Sequence, residues 1–158
     1  MKLEKLALIS EIVGSVAIVV TLLVLVFEVR GNSEELRYIA QSDVAARTQA
    51  LILTTVSNPQ LQEAYDDAVA GETLTPTQAS LVNNYLVARL KLTEESFLAF
   101  TSGRLDEEIW QTRAAFALNT LQNKWAEDRW NTRIRTNGIF TPSFVDWVDA
   151  ALLERSRQ

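Results

Sequence analysis

The carboxylate of Glu94 is the side chain in this sequence with the clearest potential for chemistry. On a helix, Leu90 and Leu98 lie four residues away on either side, so the face around Glu94 is largely apolar. Such surroundings raise the pKa of a carboxylate, which suits a general acid or base, unless another group satisfies it. The sequence favours the alternative, a buried structural anchor paired with Arg89, Arg113 or a tryptophan N–H.

The rest of the chemical inventory argues against an enzyme. The chain has no histidine and no cysteine, which removes zinc fingers, thiol centres and the usual nucleophile–histidine pairs. It also lacks a glycine-rich phosphate loop. The neighbouring acids at Asp66–Asp67 and Asp106–Glu108 diverge on a helix, so solvated faces are favoured over cation sites. We therefore predict no catalytic residue, no metal site and no cofactor.

An uncharged apolar run from Ile12 to Phe27 must place the rest of the chain beside a bilayer. Its sixteen residues cover about 24 Å as a helix, and residues 6–10 with Val29 extend it to the ~30 Å of a hydrocarbon core. A signal peptide is disfavoured because no small-x-small cleavage site follows the run. A buried core helix is disfavoured because apolar side chains occupy all sides. We predict a transmembrane helix and hinge over 1–32 and a helical domain over 33–158.

One face of this helix carries its small and polar residues. The face consists of Glu11, Gly14, Ile18, Thr21, Leu25 and Glu28, at alternating steps of three and four. Such residues are typical of contacts between membrane helices. Three interpretations stay open: the two glutamates mark the membrane interfaces, the face associates with another helix, or glutamate rings line a cation pore.

The flanking charges bear on orientation. Lys2 and Lys5 precede the helix, whereas Arg30, Arg37 and Arg47 follow it. This slight excess favours a cytoplasmic location for the domain. We expect a single-pass protein of the inner (cytoplasmic) membrane.

The positions of proline and glycine in the rest of the chain predict an all-α protein, with a small bundle of about five helices after the membrane helix. Each proline follows an N-cap residue, and the glycines suit helix ends. The expected helices cover 33–57, 59–70, 76–102, 106–136 with a break near Asn119, and 142–155. Gly31–Ser33 is expected to form a hinge or cap, although one continuous rod stays open. No segment shows the alternation of a strand.

The apolar positions of these helices predict the core of the domain. The expected core residues are Leu81, Tyr85, Leu86, Leu90, Leu92, Phe97, Ile109, Trp110, Phe116, Leu118, Trp125, Trp130, Ile134, Phe140, Phe144, Trp147, Val148, Leu152 and Leu153. The four tryptophans supply much of its bulk.

A basic stretch near the C-terminal end has the composition of a membrane-surface helix. The candidate patch is Lys124, Trp125, Arg129, Trp130 and Arg133. Cations beside aromatic rings suit anionic headgroups. The plainer alternative is a core helix whose polar face is basic. Nucleic-acid binding is disfavoured because the net charge is −5 and no recognition motif is present.

Nearly the whole chain resembles a known family. The matching segments are the opening with Glu11, Gly14, Arg30 and Asn32, the turn Ser57–Leu61, and the stretches Gly71–Gln78, Glu94–Trp110 and Phe140–Leu153. They resemble an uncharacterised family of small bacterial membrane proteins with one N-terminal membrane helix and a helical domain. Glu95, Phe97 and Phe100 stand where similar sequences have asparagine and tyrosines, and the usual tryptophan pair is spread to Trp125 and Trp130. The resemblance implies the fold and no activity.

Three classes of function follow from these residues. The leading one is a membrane-anchored, non-enzymatic interaction or assembly protein, either a homo-oligomer or an accessory subunit of a membrane complex. The second is an oligomeric cation pore or transport accessory lined by Glu11 and Glu28. The third is an enzyme that acts on a membrane-associated substrate through Glu94. The expected partners are the lipid bilayer and another membrane protein or further copies, without nucleic acid.

Overall fold

The computed structural model of the protein describes the backbone of residues 2–157 and the side chains of residues 14–157. The described backbone is helical throughout its regular elements and contains no β-strand, so the all-α prediction is confirmed. The elements are α1 (Lys2–Val56), α2 (Pro59–Ala70), α3 (Pro76–Thr101), α4 (Glu107–Thr120), α5 (Lys124–Arg129), a π-helical turn (Trp130–Ile134) and α6 (Pro142–Arg155).

The helix starts at the three prolines are confirmed. At two of them a local side chain satisfies one of the first backbone N–H groups. Asn58 accepts a hydrogen bond from the N–H of Leu61 at the start of α2. Thr75 and Gln78 form a reciprocal capping box at the start of α3. At the end of α2, Gly71 takes a left-handed conformation with φ of 78°.

The helix end expected at Gly31 is wrong, because α1 continues through Gly31–Ser33 to Val56. The hydroxyl of Ser33 donates to the carbonyl of Val29 at 2.8 Å, one turn back, and so does not cap a new helix. A glycine inside a helix costs only about 1 kcal/mol relative to alanine. The long helical sequences on both sides outweigh that cost.

The internal contacts divide the chain into two units between Ile39 and Ala40. The first unit is a single helical segment of α1. The second unit holds the end of α1 and all the later helices, and it contains the hydrophobic core.

The core of the second unit is built around aromatic side chains of α3, α4 and α6 and of the π-helical turn. Trp130 and Phe144 are fully buried, and Leu90 of α3 lies with them. The ring of Phe97 lies 5.6 Å from that of Trp110 and 5.8 Å from that of Phe144, so it joins the two ends of the core.

Two residues of the predicted core lie at the surface instead. Phe116 is 45% exposed and Leu153 is 55% exposed. Both residues lie on amphipathic helices. Three-and-four spacing also selects positions at the boundary between the apolar and the polar face of such a helix. Packing between helices decides on which side of that boundary a residue falls.

Candidate functional site

The most exposed apolar surface among the described side chains is the apolar segment of α1, defined here as residues 16–29. Its large hydrophobic side chains are exposed on all sides, from 48% for Leu25 to 71% for Phe27. The described part of α1 is long and apolar enough to cross a membrane, and none of its apolar window is buried inside the protein.

The polar groups of the apolar segment are satisfied within the helix where the structure describes them. Thr21 donates its hydroxyl to the carbonyl of Ala17 at 2.8 Å. The side chain of Glu28 is exposed at the end of the segment. Gly14 has open space where a Cβ would stand. The side chain of Glu11 lies outside the described residues, which include Gly14, Ile18, Thr21, Leu25 and Glu28 of the predicted face.

Glu94 on α3 is a buried carboxylate with a partner for each oxygen. Its residue surface is 4% exposed. The ammonium of Lys91 lies 2.6 Å from Oε2, and the backbone N–H of Thr141 donates to Oε1 at 2.6 Å. Lys91 also donates to the carbonyl of Ile139 and lies 4.7 Å from the centre of the Phe140 ring. The carboxylate thus ties α3 to the loop that enters α6.

Burial pushes the pKa of Glu94 upwards, but the hydrogen bonds from Lys91 and Thr141 outweigh it and leave the pKa below its ordinary value. A carboxylate in this state is ionised at neutral pH and accepts hydrogen bonds only. Thr141 is the residue before Pro142, so this bond also satisfies a backbone N–H at the start of α6. The arrangement holds a helix start in place.

The partners proposed for Glu94 from the sequence lie elsewhere. Arg89 places its guanidinium 4.0 Å from the centre of the Phe116 ring, and its Nε is buried without a hydrogen-bond partner. Arg113 donates to the hydroxyl of Thr48 at 2.8 Å. Both arginines line a small cavity of about 30 Å³ that has room for little more than a water molecule. The Arg89 guanidinium lies over the Phe116 ring, a contact that no local pattern indicates.

The predicted membrane-surface patch is only partly a surface. Trp130 is fully buried, and its indole N–H donates to Asp149 at 2.9 Å, so its assignment to the patch is wrong. The π-helical turn begins at Trp130 and directs this ring into the core. Trp125 is half-buried, with the Arg129 guanidinium 5.3 Å from its ring centre. Lys124 is exposed.

The acidic residues do not gather into a metal site in the described part of the chain, where no group of three or more potential ligands occurs. Asp67 accepts a hydrogen bond from Gln78 at 3.0 Å, and Asp106 accepts one from Gln41 at 3.0 Å. These two carboxylates therefore link neighbouring elements of the domain.

Comparison with known proteins yields no match: no protein-family model, curated protein or solved structure is significantly similar to this chain. The family resemblance described above stays a prediction. The function must therefore be inferred from the geometry of the exposed α1 surface and of the domain.

Proposed function

We propose that this protein is a membrane-anchored, non-enzymatic helical interaction protein that assembles with further copies of itself through α1. The observation that supports this most is the contrast in burial. Residues 16–29 expose their apolar side chains on every side, whereas the second unit buries a core of its own. Apolar surface of this extent needs a covering that the chain does not supply.

A bilayer is the covering that fits residues 16–29 best. A helix satisfies all of its interior backbone groups within itself, as hydrocarbon surroundings require. The hydrogen bond from Thr21 to the carbonyl of Ala17 satisfies the one hydroxyl in the middle of the segment, so this group needs no partner from the surroundings. The apolar positions continue on the N-terminal side through residues 6–10, which brings the helix to a spanning length.

The predicted face of α1 supports association between copies. Gly14, Ile18, Thr21 and Leu25 follow one another at steps of three and four on an uninterrupted helix. A Cβ at Gly14 would meet nothing within 4 Å inside the chain, so a neighbouring helix could approach the backbone closely there. Small residues drive such contacts in lipid, where apolar side chains gain nothing by leaving the acyl chains.

The chemistry of Glu94 supports a role without catalysis. Lys91 and Thr141 occupy both of its oxygens, and its lowered pKa opposes proton transfer near neutral pH. The carboxylate serves the entry of the chain into α6 instead.

The decisive experiment replaces Gly14 with leucine in the full-length protein. The single chain accommodates the larger side chain and its helix gains propensity, so any loss of assembly reflects contacts between copies. Val16→Leu is the matched control, because Val16 lies about 200° around the helix from Gly14. Native mass spectrometry of protein extracted gently from its membrane should show a discrete homo-oligomer for the wild type and for Val16→Leu. Gly14→Leu should shift the population to monomer.

A wild-type monomer, or an oligomer unaffected by Gly14→Leu, would contradict assembly through this face. A stoichiometric complex with a different membrane protein would contradict self-assembly and identify the chain as an accessory subunit.

We further infer a single-pass orientation in the inner membrane with residues 33–158 in the cytoplasm, supported by the arginines that follow the apolar segment. The chain lacks cysteine, so Ser143→Cys introduces a single exposed thiol on α6. A membrane-impermeant maleimide should label this thiol only after the cells are opened. Labelling of intact spheroplasts from outside would reverse the orientation.

A further inference from the structure

A second cavity of the domain lies between the first half of α3 and the helical stretch that ends in the π-helical turn. Its volume is about 210 Å³, far more than one water molecule needs. The polar side chains that line it are Ser80, Asn83, Asn84, Arg129 and Arg133, and no acidic residue lines it.

The two arginines of this cavity form a pair of like charges. Arg129 precedes the π-helical turn and Arg133 lies within it four residues later, and both side chains line the same opening. Neither arginine makes an ion pair with a carboxylate among the described side chains. The remaining partner of Arg129 is the ring of Trp125. Two neighbouring cations without a counter-charge favour the binding of an anion.

Asn83 provides an independent indication. The Oδ1 atom of Asn83 is buried and has no hydrogen-bond partner. The carboxamide of Asn83, which lines the cavity, also carries two N–H donors. Ser80 adds a hydroxyl donor on the same helix, one turn earlier. The cavity can therefore present charged and neutral donors to a single ligand.

We propose that this cavity binds a phosphate group, held by Arg129 and Arg133 and oriented by Ser80 and Asn83. Guanidinium groups pair with phosphate oxygens through two parallel N–H donors, and two arginines line this one opening. The phosphate comes either from a soluble compound or from a lipid headgroup. The site does not depend on self-assembly, because all four residues belong to one chain.

The test uses the full-length protein in nanodiscs of phosphatidylcholine, with inorganic phosphate as the soluble probe in isothermal titration calorimetry. A parallel series replaces 30% of the lipid with phosphatidic acid, and native mass spectrometry counts the phosphatidic acid molecules that stay bound after release from the disc. The variant is Arg129→Gln with Arg133→Gln. The matched control is Lys124→Gln with Arg157→Gln, which removes the same charge from exposed positions outside the cavity.

We expect the cavity variant to bind at least about tenfold more weakly than the wild type and the control, as loss of two charge-assisted contacts requires. Binding of inorganic phosphate identifies a soluble phosphate as the ligand, and retention of phosphatidic acid alone identifies a lipid headgroup. Absence of both, or equal weakening in the control, would overturn the proposal.

Asn83→Asp gives a second test that does not depend on removing arginines. A carboxylate in the cavity should pair with the arginines, abolish phosphate binding and leave the helical content by circular dichroism unchanged. Undiminished binding by a folded Asn83→Asp protein would contradict the assigned site.

Discussion

The apolar segment of α1 and the aromatic core of the second unit are both rich in large hydrophobic side chains, but these side chains are exposed in the first and buried in the second. In residues 16–29 every such side chain is about half exposed or more, whereas Leu90, Trp130 and Phe144 are completely buried. The difference lies in neighbours and not in residue type. The core helices cover one another, whereas the side chains of the apolar segment stay exposed.

The polar groups of the two regions show the same contrast. Thr21 is satisfied one turn back on its own helix. In the second unit, Glu94 is bonded to the residue before α6, and Trp130 is bonded to Asp149 on α6. Bonds between elements hold one particular arrangement, whereas bonds within a helix leave its surroundings free. A helix whose polar groups are satisfied within itself suits a bilayer. Helices joined to one another by hydrogen bonds suit a folded domain.

The largest effect on this contrast is expected from Leu90→Ala in the core. Removing a fully buried leucine should destabilise the second unit by about 3–5 kcal/mol, through lost burial and the cavity left behind. Urea unfolding of the full-length protein in mild detergent, followed by tryptophan fluorescence, measures the loss. Leu153→Ala is the control, since Leu153 is 55% exposed and its loss should cost less than about 1 kcal/mol. Equal losses would show that the two leucines are equally buried.

The second largest effect is expected in the apolar segment of α1. Val20→Arg places a charge in the middle of the apolar segment and should disfavour membrane insertion by about 3 kcal/mol. Membrane fractionation with carbonate extraction should then find much of the protein in the soluble fraction. Val69→Arg, on the exposed surface of α2, should leave the distribution unchanged. If both variants stay in the membrane, residues 16–29 are not what anchors the protein.

Glu94→Gln is expected to have an intermediate effect on the second unit. The glutamine keeps the shape but loses the charge-assisted bonds, which should cost about 2 kcal/mol at pH 7. The amide oxygen of the glutamine can still accept from the Thr141 N–H, so the loss falls on the contact with Lys91, whose charge water partly screens because its side chain is 38% exposed. The neighbouring Glu95→Gln should cost less than about 1 kcal/mol, since Glu95 pairs with Arg47 at the surface.

The pH dependence of the Glu94 effect has a definite sign. The folded-state pKa of Glu94 is lowered, so its stabilisation is fully present above the ordinary glutamate pKa of about 4.3. The stabilisation is lost as the pH falls through the lowered value. The difference between wild type and Glu94→Gln should therefore shrink in acid. A difference that grows below pH 4 would mean that the folded-state pKa is raised.

The smallest effect is expected from Thr21→Val. The hydroxyl of Thr21 already bonds to Ala17, so its removal should change the monomer–oligomer equilibrium by less than about 0.5 kcal/mol. Förster transfer between labelled copies in liposomes measures this equilibrium. A large loss of association would show that Thr21 shares its hydroxyl with a neighbouring helix. The predicted face would then act through hydrogen bonds in addition to close packing.

Much of the fold follows from local signals in the sequence. The starts of α2, α3 and α6 lie at the prolines, because a proline and its preceding cap residue act within one turn. The break after α4 follows Thr120, close to the expected position near Asn119. Local signals left the continuation of α1 through Gly31 undecided, since the effect of one glycine depends on the length of helix around it.

The candidate sites divide in a similar way. The apolar face around Glu94 is visible in the sequence, but its partners are not, because Thr141 is 47 positions away along the chain. The burial of Trp130 depends on the π-helical turn, which three-and-four spacing does not represent. The cavity of Arg129 and Arg133 needs Asn83 from a different helix.

The sequence by itself determined the helical class, the three proline starts and the apolar segment of α1, because caps and unbroken apolar runs act over neighbouring residues. Only the tertiary structure decided which carboxylate partners are used, which tryptophan is buried and where two arginines meet. Those outcomes depend on contacts between residues far apart in the chain, and such contacts form only when the helices pack.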